Sequence, residues 1–200
     1  MHPTATLYPR PHTLADALVP EEQDYSFGRD AMLVAFGVLL VALTAQFAIP
    51  TPSGVPITGQ TFGVLLVAAA LGLSRGFLAM LAYVGLGTLG LPLFASVGSS
   101  ASYGYLAGFV IAGAVVGLLA ERGWDRGFWR TLAMMTIGTL LIFAAGLAWV
   151  ATRVPDVETL LAGYLVPFLP GAAIKIALAM AVLPLAWMLV GGAASLSRRA

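Results

Sequence analysis

One side chain in this sequence stands where elementary physical chemistry disfavours it. Lys175, at the end of the stretch Phe168-Leu-Pro-Gly-Ala-Ala-Ile-Lys175, is the only formal charge inside any of the long apolar runs. An ammonium in hydrocarbon is costly unless a counter-ion, a polar cavity or water receives it, so such a residue marks a functional site. The chemistry open to it is the binding of an anionic group. Its bland alternative is snorkelling, the long stem lying along the helix with the charge at the outer interface. Gly171, with Pro170, fixes the chain just ahead of this lysine. Gln60, near the outer end of the second apolar run, offers either a helix-to-helix hydrogen bond or an amide contact to a ligand. Tyr103 and Tyr105 follow a glycine- and serine-rich stretch, where they serve an interfacial aromatic belt or stack on a ligand.

No catalytic constellation accompanies these residues, and no enzyme activity is expected. His2 and His12 are the only histidines and both lie near the N-terminus, so no metal site is expected. Asp156 and Glu158 fall in an outer loop, where solvated surface charge is the simplest reading. Gly85-x-Gly87-x-x-Gly90 matches a dinucleotide-binding pattern in letters only. No strand precedes it, no acidic residue follows about 20 positions on, and it lies within an apolar run. No Walker motif is present, and no cofactor is implied.

The elements that must position Lys175 are membrane helices. The 200 residues are 60% hydrophobic and only 10% charged, with a mean hydropathy of +0.93 and no cysteine. Soluble domains carry roughly 25% charged residues, so lipid is the solvent for most of this surface. The net charge of +1, with no basic cluster, argues against nucleic acid as a partner. Six apolar runs are expected to span the bilayer: Ala31–Ile49, Ile57–Leu73, Phe77–Phe94, Tyr103–Ala120, Thr131–Thr152 and Gly171–Val190. Ser74-Arg75-Gly76 reads as the tight turn between the second and third. Residues 1–30 read as a cytoplasmic tail with a short interfacial helix around Leu14–Val19, residues 31–192 as the transmembrane domain, and 193–200 as a second cytoplasmic tail. Eight of the ten Lys and Arg residues, namely Arg10, Arg29, Arg75, Arg122, Arg126, Arg130, Arg198 and Arg199, fall on one side. Both termini are therefore expected in the cytoplasm. The three outer connections, 50–56, 95–102 and 153–170, are rich in Pro, Gly, Ser and aromatics and read as binding loops around a shallow pocket. Ala31-x-x-x-Ala35, Gly104/Gly108, Gly113/Gly117 and Ala173/Ala177/Ala181 have the spacing of small residues at close helix contacts.

These residues resemble the BioY family, the biotin-specific S-components of energy-coupling-factor transporters. The resemblance rests on Val55-Pro-Ile-Thr-Gly-Gln-Thr-Phe62, Gly90-Leu-Pro-Leu-Phe-Ala95, Gly104-Tyr-Leu-x-Gly-Phe109 and the Pro-Gly-x-x-x-Lys element ending at Lys175. It implies an all-α, six-helix, multi-pass protein of the prokaryotic cell membrane that captures biotin near the outer face and delivers it inward. It further implies an ECF transmembrane coupling protein and ATPase subunits as partners, with Ala31 and Ala35 facing the coupling protein. Lys175, Gln60, Tyr103, Tyr105 and Gly171 are the expected ligand-binding residues. Two departures stand out: Ala172 replaces the family's usual Asp, and Ala101-Ser-Tyr-Gly-Tyr-Leu106 keeps only the last three residues of the usual Pro-Thr-Gly-Gly-Tyr-Leu. Losing an acidic acceptor removes a charge-assisted hydrogen bond of roughly 1.5–3 kcal/mol. An S-component for a different small carboxylate, or a ligand-free membrane scaffold of the same fold, are the alternatives.

Overall fold

The structure, a computed structural model, describes residues 12–19, 26–95 and 100–197, with backbone alone at 26 and 191–197. His2, Arg10, Arg198 and Arg199 lie outside the described residues. Among the described residues the chain is all-α apart from one short strand pairing. Its elements are α1 (Leu14–Leu18), α2 (Ser26–Ala45), β1 (Ala48–Ile49), β2 (Ile57–Thr58), α3 (Gln60–Thr88), α4 (Tyr103–Glu121), α5 (Phe128–Ala151), α6 (Val157–Tyr164) and α7 (Leu169–Ser197). Five stretches are long and apolar enough to cross a membrane: Phe27–Ala45, Gln60–Thr88, Ser100–Glu121, Phe128–Ala151 and Val157–Val190.

One of the five, α3, is a hairpin. Its helical geometry breaks at Gly72, with φ 83° and ψ −172°. A straight helix would hold residues 60 and 83 about 34 Å apart, yet Gln60 and Tyr83 share a 2.6 Å hydrogen bond. The second and third apolar runs are thus antiparallel arms, and the bundle contains six passes. The reversal comes at Gly72 and not at the expected Ser74–Gly76, because only glycine takes that left-handed backbone at no steric cost. The Glu121 carboxylate, arriving from the end of α4, then accepts the Leu73 N–H at 2.8 Å and caps the second arm. Arg75 sits in that arm's first turn, and there it reaches Asp16 at 2.7 Å.

Small residues set how closely the helices approach. On α4, Gly104 and Gly108 lie against α5, where an added Cβ would meet Ala145 O at 2.7 Å and Ile142 Cα at 2.8 Å. Gly113 and Gly117 lie against α3, where an added Cβ would fall 3.2 Å from Gly76 O and 2.4 Å from Gly72 O. Nine residues separate the two pairs, a rotation of about 180°, so α4 is gripped on opposite faces. Gly59 and Gly63 do the same for α3 against Thr44 of α2. Ala173, Ala177 and Ala181, by contrast, lie on an exposed face of α7.

Other boundaries move both ways. α2 runs Ser26–Ala45 instead of Ala31–Ile49, and α3 begins at Gln60 instead of Ile57 and ends at Thr88 instead of Phe94, because Pro50, Pro56 and Pro92 and the glycines near them interrupt the helix inside the apolar runs. α5 starts at Phe128 instead of Thr131, and α7 runs from Leu169 to Ser197, beyond both ends of the expected Gly171–Val190. Two elements were not foreseen: the β1–β2 pairing, with Ala48 opposite Thr58 and Ile49 opposite Ile57, and α6 within the outer loop. The short helix expected near Leu14–Val19 forms as α1, closed by a capping box between Thr13 and Asp16.

Candidate functional site

The first arm of α3 has about 12 residues and rises about 18 Å from the Gly72 turn, short of a ~30 Å hydrocarbon core. The connection that precedes it therefore dips into the membrane from the outer side. Irregular backbone at such depth needs internal partners, and the β1–β2 pairing supplies some of them. Thr58 and Gln60 arrive at this depth together.

Lys175 meets them there. Its Nζ donates to Thr58 O at 2.5 Å and to Thr61 Oγ1 at 2.8 Å. The side chain turns inward across the bundle and does not run along α7 to the outer interface. Among the described residues no carboxylate pairs with it; the ion pairs join Arg29 and Arg75 to Asp16 and Asp30 at the opposite end. Asp156 instead caps α6, accepting the Thr159 N–H at 2.8 Å, and its carboxyl is held below the usual range by the Thr159 side chain and backbone N–H. Glu158 is exposed. The ammonium thus has neutral acceptors and no counter-charge, which leaves it suited to an incoming anion.

Lys175, Gln60 and Tyr105 share one cavity of about 80 Å³, with Thr58, Thr61, Phe94, Phe168 and Ala172 also in its wall. Sites for small molecules typically enclose about 300–1,000 Å³, so an occupant must displace some of the lining side chains. Phe94, on the connection after α3, and Phe168, just ahead of α7, bring aromatic rings into this wall. Phe168 tilts against Tyr105, with ring centroids 6.1 Å apart. Tyr105 lies flat on Gly146 and donates its hydroxyl to Tyr164 O at 2.5 Å, tying α4 to the end of α6.

Tyr103 does not join them. It is half exposed and packs edge-on against Trp149, with centroids 6.5 Å apart. Gly171 is not in the cavity wall either; a Cβ there would make only ordinary contact with Ile57, at 3.6 Å. Ala31 and Ala35 are exposed on α2, far along the chain from the cavity elements. Thr58, Thr61, Phe94 and Phe168 escaped the sequence reading as individual site residues. Thr58 and Thr61 flank Gln60 within an otherwise apolar stretch, and that local cluster of polar groups was the available signal.

Comparison with known proteins agrees with this architecture. The family model described as the BioY family matches residues 18–192. The biotin transporter BioY of Thermotoga maritima is 35% identical over 154 residues, which cover 74% of this chain and 90% of the relative. The biotin transporter BioY of Rhodobacter capsulatus is 35% identical over 170 residues, covering 70% and 83%. A crystal structure of the S-component for biotin from an ECF-type ABC transporter superposes with a TM-score of 0.66 at 22% identity, over 82% of this chain and 93% of that one, and shares the fold. Since the family match spans nearly all of the membrane bundle and the site built within it, this chain belongs to the BioY family.

Proposed function

We propose that this multi-pass membrane protein is the substrate-capturing subunit of a biotin uptake transporter. One observation carries the reading: a half-buried lysine turned into the bundle, held by a carbonyl and a hydroxyl with no counter-charge among the described residues, in the wall of a cavity beneath the outer loops. Lys175 takes the carboxylate of biotin. Gln60 hydrogen-bonds the ureido group, and Tyr105 supplies an aromatic wall. Ala172 contributes a methyl group where an acid would have competed for the lysine. Passage inward requires an energy source that this chain does not carry, which fits a coupling protein and ATPase subunits as partners. The exposed face of α2 with Ala31 and Ala35 is their docking surface.

Titration of the purified protein with biotin tests the assignment. Binding at or below micromolar concentration is expected. Lys175→Met should weaken it about 10- to 100-fold, the effect of losing a charge-assisted hydrogen bond, while leaving thermal stability unchanged or raised because a half-buried charge without a counter-ion is gone. Wild-type protein that ignores biotin but binds another small carboxylate would move the substrate, and failure with all of them would leave a scaffold.

A further inference from the structure

We infer that Tyr83, which lies outside the cavity wall, sets the polarity of Gln60 and thereby makes the site select a ligand N–H at that point. The inference rests on the biotin reading above and deepens it.

The polarity follows from one fixed end. Leu93 presents a backbone carbonyl, which can only accept, and Tyr83 Oη lies 3.0 Å from it. The single phenolic proton is committed to that bond, so toward its other neighbour the oxygen can only accept. That neighbour is the Gln60 carboxamide at 2.6 Å. Gln60 must therefore turn its NH₂ to Tyr83 and its carbonyl Oε1 away from it. Thr58 Oγ1 stands 3.4 Å from Oε1, a long contact, and already accepts the Gln60 backbone N–H at 3.1 Å. Oε1 keeps acceptor capacity at the cavity wall. Without the Leu93–Tyr83 chain the amide could flip and present its donors instead.

Tyr83 is fully buried and its ring is locked edge-on against Phe94 at 5.4 Å. Phe94 rests in turn on Gly87, where a Cβ would come within 2.3 Å of the ring. The same tyrosine thus anchors one ring of the cavity wall and orients a polar group in it. It acts as a positioning residue, since its hydroxyl touches Gln60 and not the ligand.

The test compares biotin with biotins methylated at either ureido nitrogen, by calorimetric titration of the purified full chain. Wild type should prefer biotin over one methylated form by at least about fivefold, the effect of one hydrogen bond. Tyr83→Phe keeps the ring and its contact with Phe94; it should bring that preference close to unity, with a smaller loss for the methylated form than for biotin. Gln60→Glu added to Tyr83→Phe should restore the preference, because a carboxylate offers an oxygen on both sides. Equal weakening of both ligands, or an undiminished preference in Tyr83→Phe, overturns the inference. Should Tyr83→Phe fail to fold, Gln60→Leu, which leaves the Tyr83–Leu93 bond in place, decides: a retained preference overturns it. Wild-type protein that binds no biotin overturns the substrate reading itself, a result distinct from biotin binding without N–H selectivity.

Discussion

Where Tyr105 stands is decided by a residue that makes no polar contact. A Cβ on Gly146 would fall 2.4 Å from the Tyr105 ring, which cannot move far while its hydroxyl holds Tyr164 O. Gly146→Ala should therefore cost about 1–3 kcal/mol of stability, the usual effect of overpacking, and weaken ligand binding as the ring tips into the cavity. Gly163→Ala is the control, its nearest neighbour being Ser53 Cβ at 3.8 Å; it should change neither the melting temperature nor the binding isotherm. Lys175 shows the limit of reading residues alone. Its cost in an apolar run was evident from sequence, but two readings stayed open, and only the approach of Thr58 and Thr61 selects the inward one.

At the scale of elements, α1 is the clearest case of local sequence meeting a distant partner. Thr13 and Asp16 close its capping box, and Asp16 also accepts from Arg29 of α2 at 2.8 Å and Arg75 of α3 at 2.7 Å. Burial alone would raise the Asp16 carboxyl, but hydrogen bonds from Arg29, Arg75 and Thr13 outweigh it and hold it at about 2 against an ordinary 3.8. A depressed carboxyl contributes stability that is fully present above its ordinary value and is lost as pH falls through the folded one. Thermal melts of Asp16→Asn should accordingly lie below wild type at neutral pH, with the gap closing between about pH 4 and 2. Asp125, in the turn Trp124–Arg126, has the opposite sign. Its burial raises the carboxyl, against a hydrogen bond from Trp187 Nε1 at 2.5 Å, so its ionisation subtracts stability as pH rises through the folded value.

At the scale of the whole molecule, α2 is one of two long helices, with α7, that the bundle leaves poorly covered among the described residues. Gly28, Ala31, Met32, Ala35, Phe36, Leu39 and Leu43 of α2 are all exposed, a stripe at helical spacing with small residues at its centre. If this stripe docks a coupling protein, Ala31→Trp and Ala35→Trp should cut biotin uptake by cells that hold the complete transporter. Biotin titration of the purified subunit should be unchanged, because neither residue approaches the cavity. Equal loss in both assays would place the defect in folding instead.

Composition and hydropathy by themselves determined an all-α membrane bundle, its six passes and the stretch carrying each site element, because burial in lipid is a sum over single residues and needs no partner to be read. The pairs Gly104/Gly108 and Gly113/Gly117 even announced close contacts, and their nine-residue offset encodes the two faces of α4. Three things waited for the tertiary structure. The Gly72 reversal depends on a backbone angle stabilised by Glu121, which accepts the Leu73 N–H from 48 positions further along the chain. The cavity depends on which side chains face inward when arms of different length meet, and this separated Tyr105 from Tyr103 although both lie on one helical turn. The direction of the Gln60 amide depends on a carbonyl at Leu93 reached through Tyr83. Each is a relation between groups far apart in sequence, fixed only when packing brings them within hydrogen-bond or van der Waals distance.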